Sequence, residues 1–173
     1  MSVAIRITQR TVKFDKYRLE QQSLRILELC GCKGWDLGLW LSGDKAIRAL
    51  NGEYRQKKKT TDILSFPFQE NITTPGVLPD PPQGEGFPGA YNLGDIVIGV
   101  PHVSRDCNRY GWDLYHRIPV LITHGVCHLM GYDHEDDDSF EEMYKRELSV
   151  LADLEKDGIV NIELGGGRLL QEN

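Results

Sequence analysis

The sequence predicts an α+β fold in a single domain, with one mixed sheet of about four strands and about five or six helices packed on it. Three observations predict it. The chain has 173 residues, 40% of them apolar, enough for one core without disulfide staples. Its apolar segments run strand, helix, strand, helix, strand, strand and then helices, an order that does not alternate throughout as a doubly wound sheet would. One segment, Val120 to Met130, is apolar nearly all round and belongs at the centre as a buried helix.

The elements follow in chain order. Val3 to Thr8 alternates apolar and polar residues and reads as a strand. Arg6, Arg10 and Lys13 without an acid in the same stretch faintly resemble a transit peptide, but the alternation favours the strand. Leu19 to Leu29 has helical spacing and reads as a surface helix, and Asp36 to Ser42 reads as a strand. Ser42 or Asp44 is expected to cap a helix running to about Arg55, with Ile47, Leu50 and Tyr54 on one face. Ile63 to Phe66 is a short strand ended by Pro67.

Gln69 to Asn92 holds five of the eight prolines and four glycines. So many breakers make it a surface loop, either a tolerated insertion or a lid or partner-binding element. Leu93 to Val100 is a strand with a buried Ile-Val-Ile run, and two or three helices fill residues 102–156. Pro119 suits the first turn of the central helix. Residues 1–160 thus form one domain, and 161–173, with Gly165-Gly-Gly167, form a tail expected to fray.

The four cysteines, Cys30, Cys32, Cys107 and Cys127, lack the paired spacing of a zinc ribbon and read as reduced intracellular thiols. No run resembles a membrane span. The net charge of −6 argues against a general nucleic-acid binder. Its distribution is uneven: residues 1–60 carry 13 Lys and Arg against 6 Asp and Glu, and the remainder carry 7 against 20. An anionic substrate would meet a basic surface on one side of an acidic protein, unless folding mixes the two halves. The acidic run Glu135 to Asp138 with Glu141 and Glu142 reads as a solvated helix start.

Three of the five histidines fall in His124-Gly-Val-Cys-His128-Leu-Met-Gly-Tyr-Asp-His134. Residues four apart share a helix face, so His124 and His128 can offer ring nitrogens to one ion. Gly131 looks like the left-handed residue that stops the helix and lets His134 return to the same ion. Asp133 or Glu135 could hold a ligand's other nitrogen. Cys127 lies near the same face and reads as a packed small residue. Three neutral nitrogens leave one coordination position open, the form of a catalytic site with one Zn2+ per chain. The spacing resembles H-E-x-x-H proteases, but Gly125 stands where they carry the general base, which counts against peptide hydrolysis.

A second constellation, Arg55-Gln-Lys57-Lys58-Lys59, puts four cations in five residues. A lysine run ending a helix suits the dipole as a solvated cap, whereas the Arg55 guanidinium can bind phosphate bidentately. Together the blocks Leu50-Asn51-x-x-Tyr54-Arg55 into Thr61-Asp62-Ile-Leu-Ser65-Phe66-Pro67, Leu93-Gly94-Asp95-Ile96, and His124-Gly125-x-x-His128-Leu129-x-Gly131-Tyr132-Asp133-His134 resemble the YbeY family of rRNA-maturation endoribonucleases. The blocks span most of residues 50–134, and the histidine block is the most specific.

The resemblance implies a zinc-dependent, single-strand-preferring endoribonuclease acting on ribosomal RNA and in ribosome quality control, alongside small-subunit ribosomal proteins. It implies His124, His128 and His134 as metal ligands and Arg55 as the catalytic arginine. Arg55, Lys57 and Ser65 are the expected substrate-binding residues. Neither DNA nor a membrane is an expected partner. Few aromatics flank the site (Tyr54, Phe66, Tyr132), so sequence specificity should be low. The attacking group, water or the RNA's own 2′-hydroxyl, stays open. Two departures stand out. Lys57-Lys-Lys-Thr60 replaces the family's usual Lys-Asp-like pair and proline, which leaves the backbone there open, and the long loop 69–92 has the look of organellar versions. The latter implies a mitochondrial address, with a cytoplasmic one as the alternative. Two other functions fit the residues: a non-catalytic ribosome-assembly factor with a structural zinc, and a metallohydrolase of another substrate class.

Overall fold

The computed structural model describes residues 1–80 and 91–167. Its elements are β1 (Val3–Ile7), α1 (Lys16–Leu29), β2 (Asp36–Ser42), α2 (Asp44–Arg55), β3 (Ile63–Pro67), β4 (Asn92–Gly99), α3 (Val100–Tyr110), α4 (Leu114–Leu129), α5 (Asp137–Lys156) and α6 (Ile162–Gly165). The four strands form one sheet in the order β1-β2-β4-β3. β1 and β4 pair parallel with β2, and β3 pairs antiparallel with β4, so the α+β expectation holds with a mixed sheet. Pro67 is accommodated because β3 is an edge strand, where a missing donor breaks no second ladder. Phe68 N donates to Leu93 O at 3.1 Å and Gln69 Nε2 to Asn92 O at 2.7 Å, which closes the base of the connection between β3 and β4. Of that expected 69–92 loop, residues 81–90 lie outside the described ones.

One face of the sheet carries the main core, to which α1, α4 and α5 contribute Leu27, Leu121 and Leu151, each 1% exposed or less. α4 is buried over almost its whole length. It lies close to the sheet because Gly125 has no side chain: a Cβ there would sit 2.6 Å from Ile96 Cδ1 and 3.1 Å from Ile63 Cδ1. On the opposite face α2 covers only part of the sheet, with Ile47 packed on Leu64 and Val97. Among the described residues no helix is long and apolar enough to cross a membrane.

Three local expectations are corrected. α2 starts at Gly43 without a side-chain cap. Ser42 Oγ instead donates to Ile98 O at 3.1 Å, and Asp44 forms an ion pair with Arg105 at 2.9 Å. α4 begins earlier than expected, capped by Asp113, so Pro119 lies inside the helix rather than in its first turn. The proline removes only the bond that Tyr115 O would have accepted, and Tyr115 is 52% exposed, so water can replace it. The expected fraying fails for residues 161–167. α6 is seated by Arg117, which is 2% exposed, donates to Gly165 O at 3.2 Å and to Gly166 O, and stacks over Trp112 at 4.4 Å. A fully buried guanidinium must place its donors, and two glycine carbonyls accept them.

The seat of Gly125 gives a direct test. Gly125→Glu, which would restore the H-E-x-x-H pattern, forces a carboxylate between Ile63 and Ile96. It should cost more than about 3 kcal/mol through overpacking and burial of an unpaired charge, seen as a lower urea midpoint with no gain of protease activity.

Candidate metal centre

The C-terminal half of α4 carries His124 and His128 on one face, one turn apart. The helix stops at Met130, and Gly131 adopts φ 86, the left-handed conformation in which a side chain is strained. Gly131 N and Tyr132 N donate to His128 O and Cys127 O at 3.0 and 3.1 Å, so the chain doubles back over its own last turn. Asp133 Oδ1 accepts the amide of His134 at 2.7 Å and shapes the return. The outcome is a group of three histidines with ligand nitrogens all within 4.8 Å of one another, which could hold a metal ion. His124 is buried, His128 half-buried and His134 exposed, so the group opens to solvent on one side.

The hydrogen bonds around the rings fit a cation. Glu147 Oε1 lies 2.5 Å from His124 Nδ1, and Tyr132 O lies 3.0 Å from His128 Nδ1. A carbonyl can only accept, so His128 Nδ1 carries the proton, and Glu147 in its ionised form imposes the same tautomer on His124. The two Nε2 atoms, 2.9 Å apart, then present lone pairs to each other, an arrangement relieved by a cation drawn between them. Burial pushes His124 down to about 3, helped by the neighbouring His134, and burial with the nearby His124 pushes His128 down to about 4. Both rings are therefore neutral, as ligands must be. Burial also lifts the Glu147 carboxyl to about 7.

The sequence pattern does not single out Glu147 and offers Asp133 or Glu135 instead as the group to hold a ligand's other nitrogen. The signal was present: Met143, Glu147, Val150, Leu151 and Leu154 are the buried positions of α5, and a single acid in that stripe requires a partner. The acidic start of α5 behaves as expected, with Asp136 and Ser139 in a capping box. Cys127 is a fully buried free thiol, and its hydrogen bond with the Cys30 thiol together with burial pushes it up.

Beside the histidines lies a cleft of about 300 Å³ lined by Arg55, Ser65, Pro67, His128, Gly131, Tyr132 and Asp133. The sheet supplies Ser65 from β3, and α2 supplies Arg55 at its last residue. Lys57 does not line this cleft. It belongs to an exposed arc that leaves α2 through Gln56, the one described non-glycine residue with positive φ, at 59°. Asn51 holds the arc: its carbonyl accepts Lys57 N at 3.2 Å and its side chain donates to Lys59 O at 2.9 Å. The far end is tied by Thr60 Oγ1 and His102 Nδ1 at 2.9 Å.

Fold and site together define an α+β protein whose three-histidine group could hold a metal ion beside an arginine-bearing cleft. The family model described as Endoribonuclease YbeY matches residues 4–155, and the chain belongs to that family. A human protein named Endoribonuclease YbeY is 34% identical over 154 residues, covering 89% of each chain. One of the same name from Aquifex aeolicus is 34% identical over 155 residues, covering 89% of this chain and 92% of its own. A Thermotoga maritima protein solved in solution shares the fold, with a TM-score of 0.53 at 20% identity over 90% of this chain and 93% of its own.

Two outcomes are expected. Glu147→Ala should weaken divalent-metal binding about 10- to 100-fold in a chelator competition, with Glu147→Gln, which can still accept from His124, in between. In chelator-stripped protein the depressed histidines and the raised carboxyl act with opposite sign. Unfolded histidine takes up a proton near 6.5 while His124 and His128 stay neutral to about 3 and 4, so stability is lost as pH drops through that window. The Glu147 contribution is lost as pH rises from 4.5 to about 7. Two groups outweigh one, so the urea midpoint should be lower at pH 5 than at pH 7.

Proposed function

We propose that this chain is a zinc-dependent endoribonuclease that cuts unpaired segments of ribosomal RNA during ribosome maturation, near small-subunit ribosomal proteins. Membership of the family supports RNA as the substrate. The observation that carries the mechanism is the shared wall: Arg55 and Ser65 line the same cleft as the metal-group histidine His128. His124, His128 and His134 would hold the zinc, which when bound supplies Lewis acidity toward a phosphodiester oxygen.

The rest falls to side chains of the chain itself. The Arg55 guanidinium binds a second oxygen of the same phosphate and stabilises the charge that grows on it as the bond to the leaving oxygen breaks. Ser65 hydroxyl donates to the phosphate from the floor of β3 and sets its height. Lys57, outside the cleft on the exposed arc, draws the neighbouring phosphate by charge alone. Glu147 keeps the proton on His124 Nδ1 and so keeps Nε2 directed at the ion. Exposure on the His134 side leaves room for a single strand, and a shallow cleft gives little base readout.

Metal content and cleavage of a structured rRNA fragment test the proposal together. About one zinc per chain is expected, with cleavage lost in His128→Ala along with the metal. Arg55→Ala should keep the zinc and lose about 100-fold or more in turnover. Unchanged cleavage in that variant would remove Arg55 from the mechanism, and zinc without cleavage by the wild type would favour an assembly factor.

A further inference from the structure

The uncovered part of the sheet's outer face holds a second concavity, about 440 Å³, on the far side of β3 from the metal cleft. Register defines its floor. Ala4 pairs with Gly38, Gly38 with Asp95, and Asp95 with Phe66, so these four residues form one row across all four strands. Two of the four are small, and the Asp95 side chain lies across Gly38, where a Cβ would meet Oδ1. Aromatic walls rise on both sides. On one side Trp40 is fixed by Nε1 donating to Thr8 Oγ1 at 2.8 Å, with the Arg6 guanidinium 4.4 Å over its ring. On the other, Tyr54 stands edge-on to Phe66 with centroids 4.9 Å apart, and Tyr54 is 60% exposed.

We infer that this trough is a nucleoside-stacking subsite for single-stranded RNA, one that takes an unpaired base flanking the phosphate held in the metal cleft. The inference rests on the nuclease reading above and extends it. Continuity supports it: Tyr54 precedes Arg55 and Phe66 follows Ser65, so both residues of the wall opposite Trp40 have a cleft residue as chain neighbour. A strand leaving the cleft around the β3 edge reaches these rings first. Charge supports it too. Asp95 on the floor repels phosphate and accepts from the amino or hydroxyl groups of a nucleoside, whereas the basic arc Arg55 to Lys59 follows Tyr54 directly and attracts phosphates. Half-buried, fixed rings such as Trp40 and Phe66 beside an exposed one, Tyr54, give stacking without reading sequence, as single-strand binding sites do, and the volume lies within the range of about 300–1,000 Å³ usual for small-molecule sites.

The test uses the wild-type protein and an octaribonucleotide carrying 2′-O-methyl groups, followed by tryptophan fluorescence. Quenching is expected in the wild type and should vanish in Trp40→Phe, since Trp35 is buried and Trp112 is stacked under Arg117. Tyr54→Ala should raise the Kd about tenfold and, with a cleavable RNA, raise KM while leaving kcat nearly unchanged. Arg6→Gln should raise KM in the same direction. A wild type that cleaves RNA without quenching, or a Tyr54→Ala with unaltered KM, would overturn the trough and leave the nuclease reading intact. Quenching without any cleavage would uphold the trough and overturn the nuclease reading instead.

Discussion

The structure depends on how closely α4 approaches the sheet. Gly125 lets the helix settle on Ile63 and Ile96, and that contact puts His124 in a nearly dry environment one turn before His128. A polar ring buried there must be satisfied, and α5 answers with Glu147. The same closeness sets the height of the histidines over Ser65 on β3, so helix packing and site geometry are one constraint. The glycine that stands where a helix-borne general base would be is thus the residue that brings the histidine group and the Ser65 side of the cleft together.

Much of this was legible in the residues. The element order, the strand boundaries of β2 and β3, the central apolar helix and the three histidines follow from period and spacing, because each signal is local. Glu147 was not legible from position alone. It lies beyond the next turn and on another helix, and its partnership with His124 exists only through α4–α5 packing. Arg117 escaped for a similar reason: its acceptors are the carbonyls of Gly165 and Gly166, and no side-chain pattern marks a carbonyl. Three consecutive glycines suggested fraying, yet a Cβ at Gly165 would lie 2.7 Å from His116 O, so smallness there serves packing.

The two sides of the cleft are built by different physics. The histidine side is held by burial, a left-handed turn at Gly131 and backbone hydrogen bonds within one helix end. The arginine side ends a helix on Gln56 and is held by the amide of Asn51, with little apolar burial behind it. Stability should therefore be uneven across the cleft, with the metal half opening only with the core and the basic arc opening at lower cost. The histidine side of the cleft is thus the rigid one and the cationic side the more yielding.

The crossing between β3 and β4 carries one more consequence. Phe68 and Gln69 bond to Leu93 and Asn92 at its base, and Gly76 N donates to Met130 O beside the metal turn. The entropy of closing this crossing is thus met at its base by the sheet itself. Each doubling of the chain between the anchors adds only about 0.6 kcal/mol. A longer crossing therefore costs the sheet little, while the turn at Gly131 keeps its own tie through Gly76 and Met130.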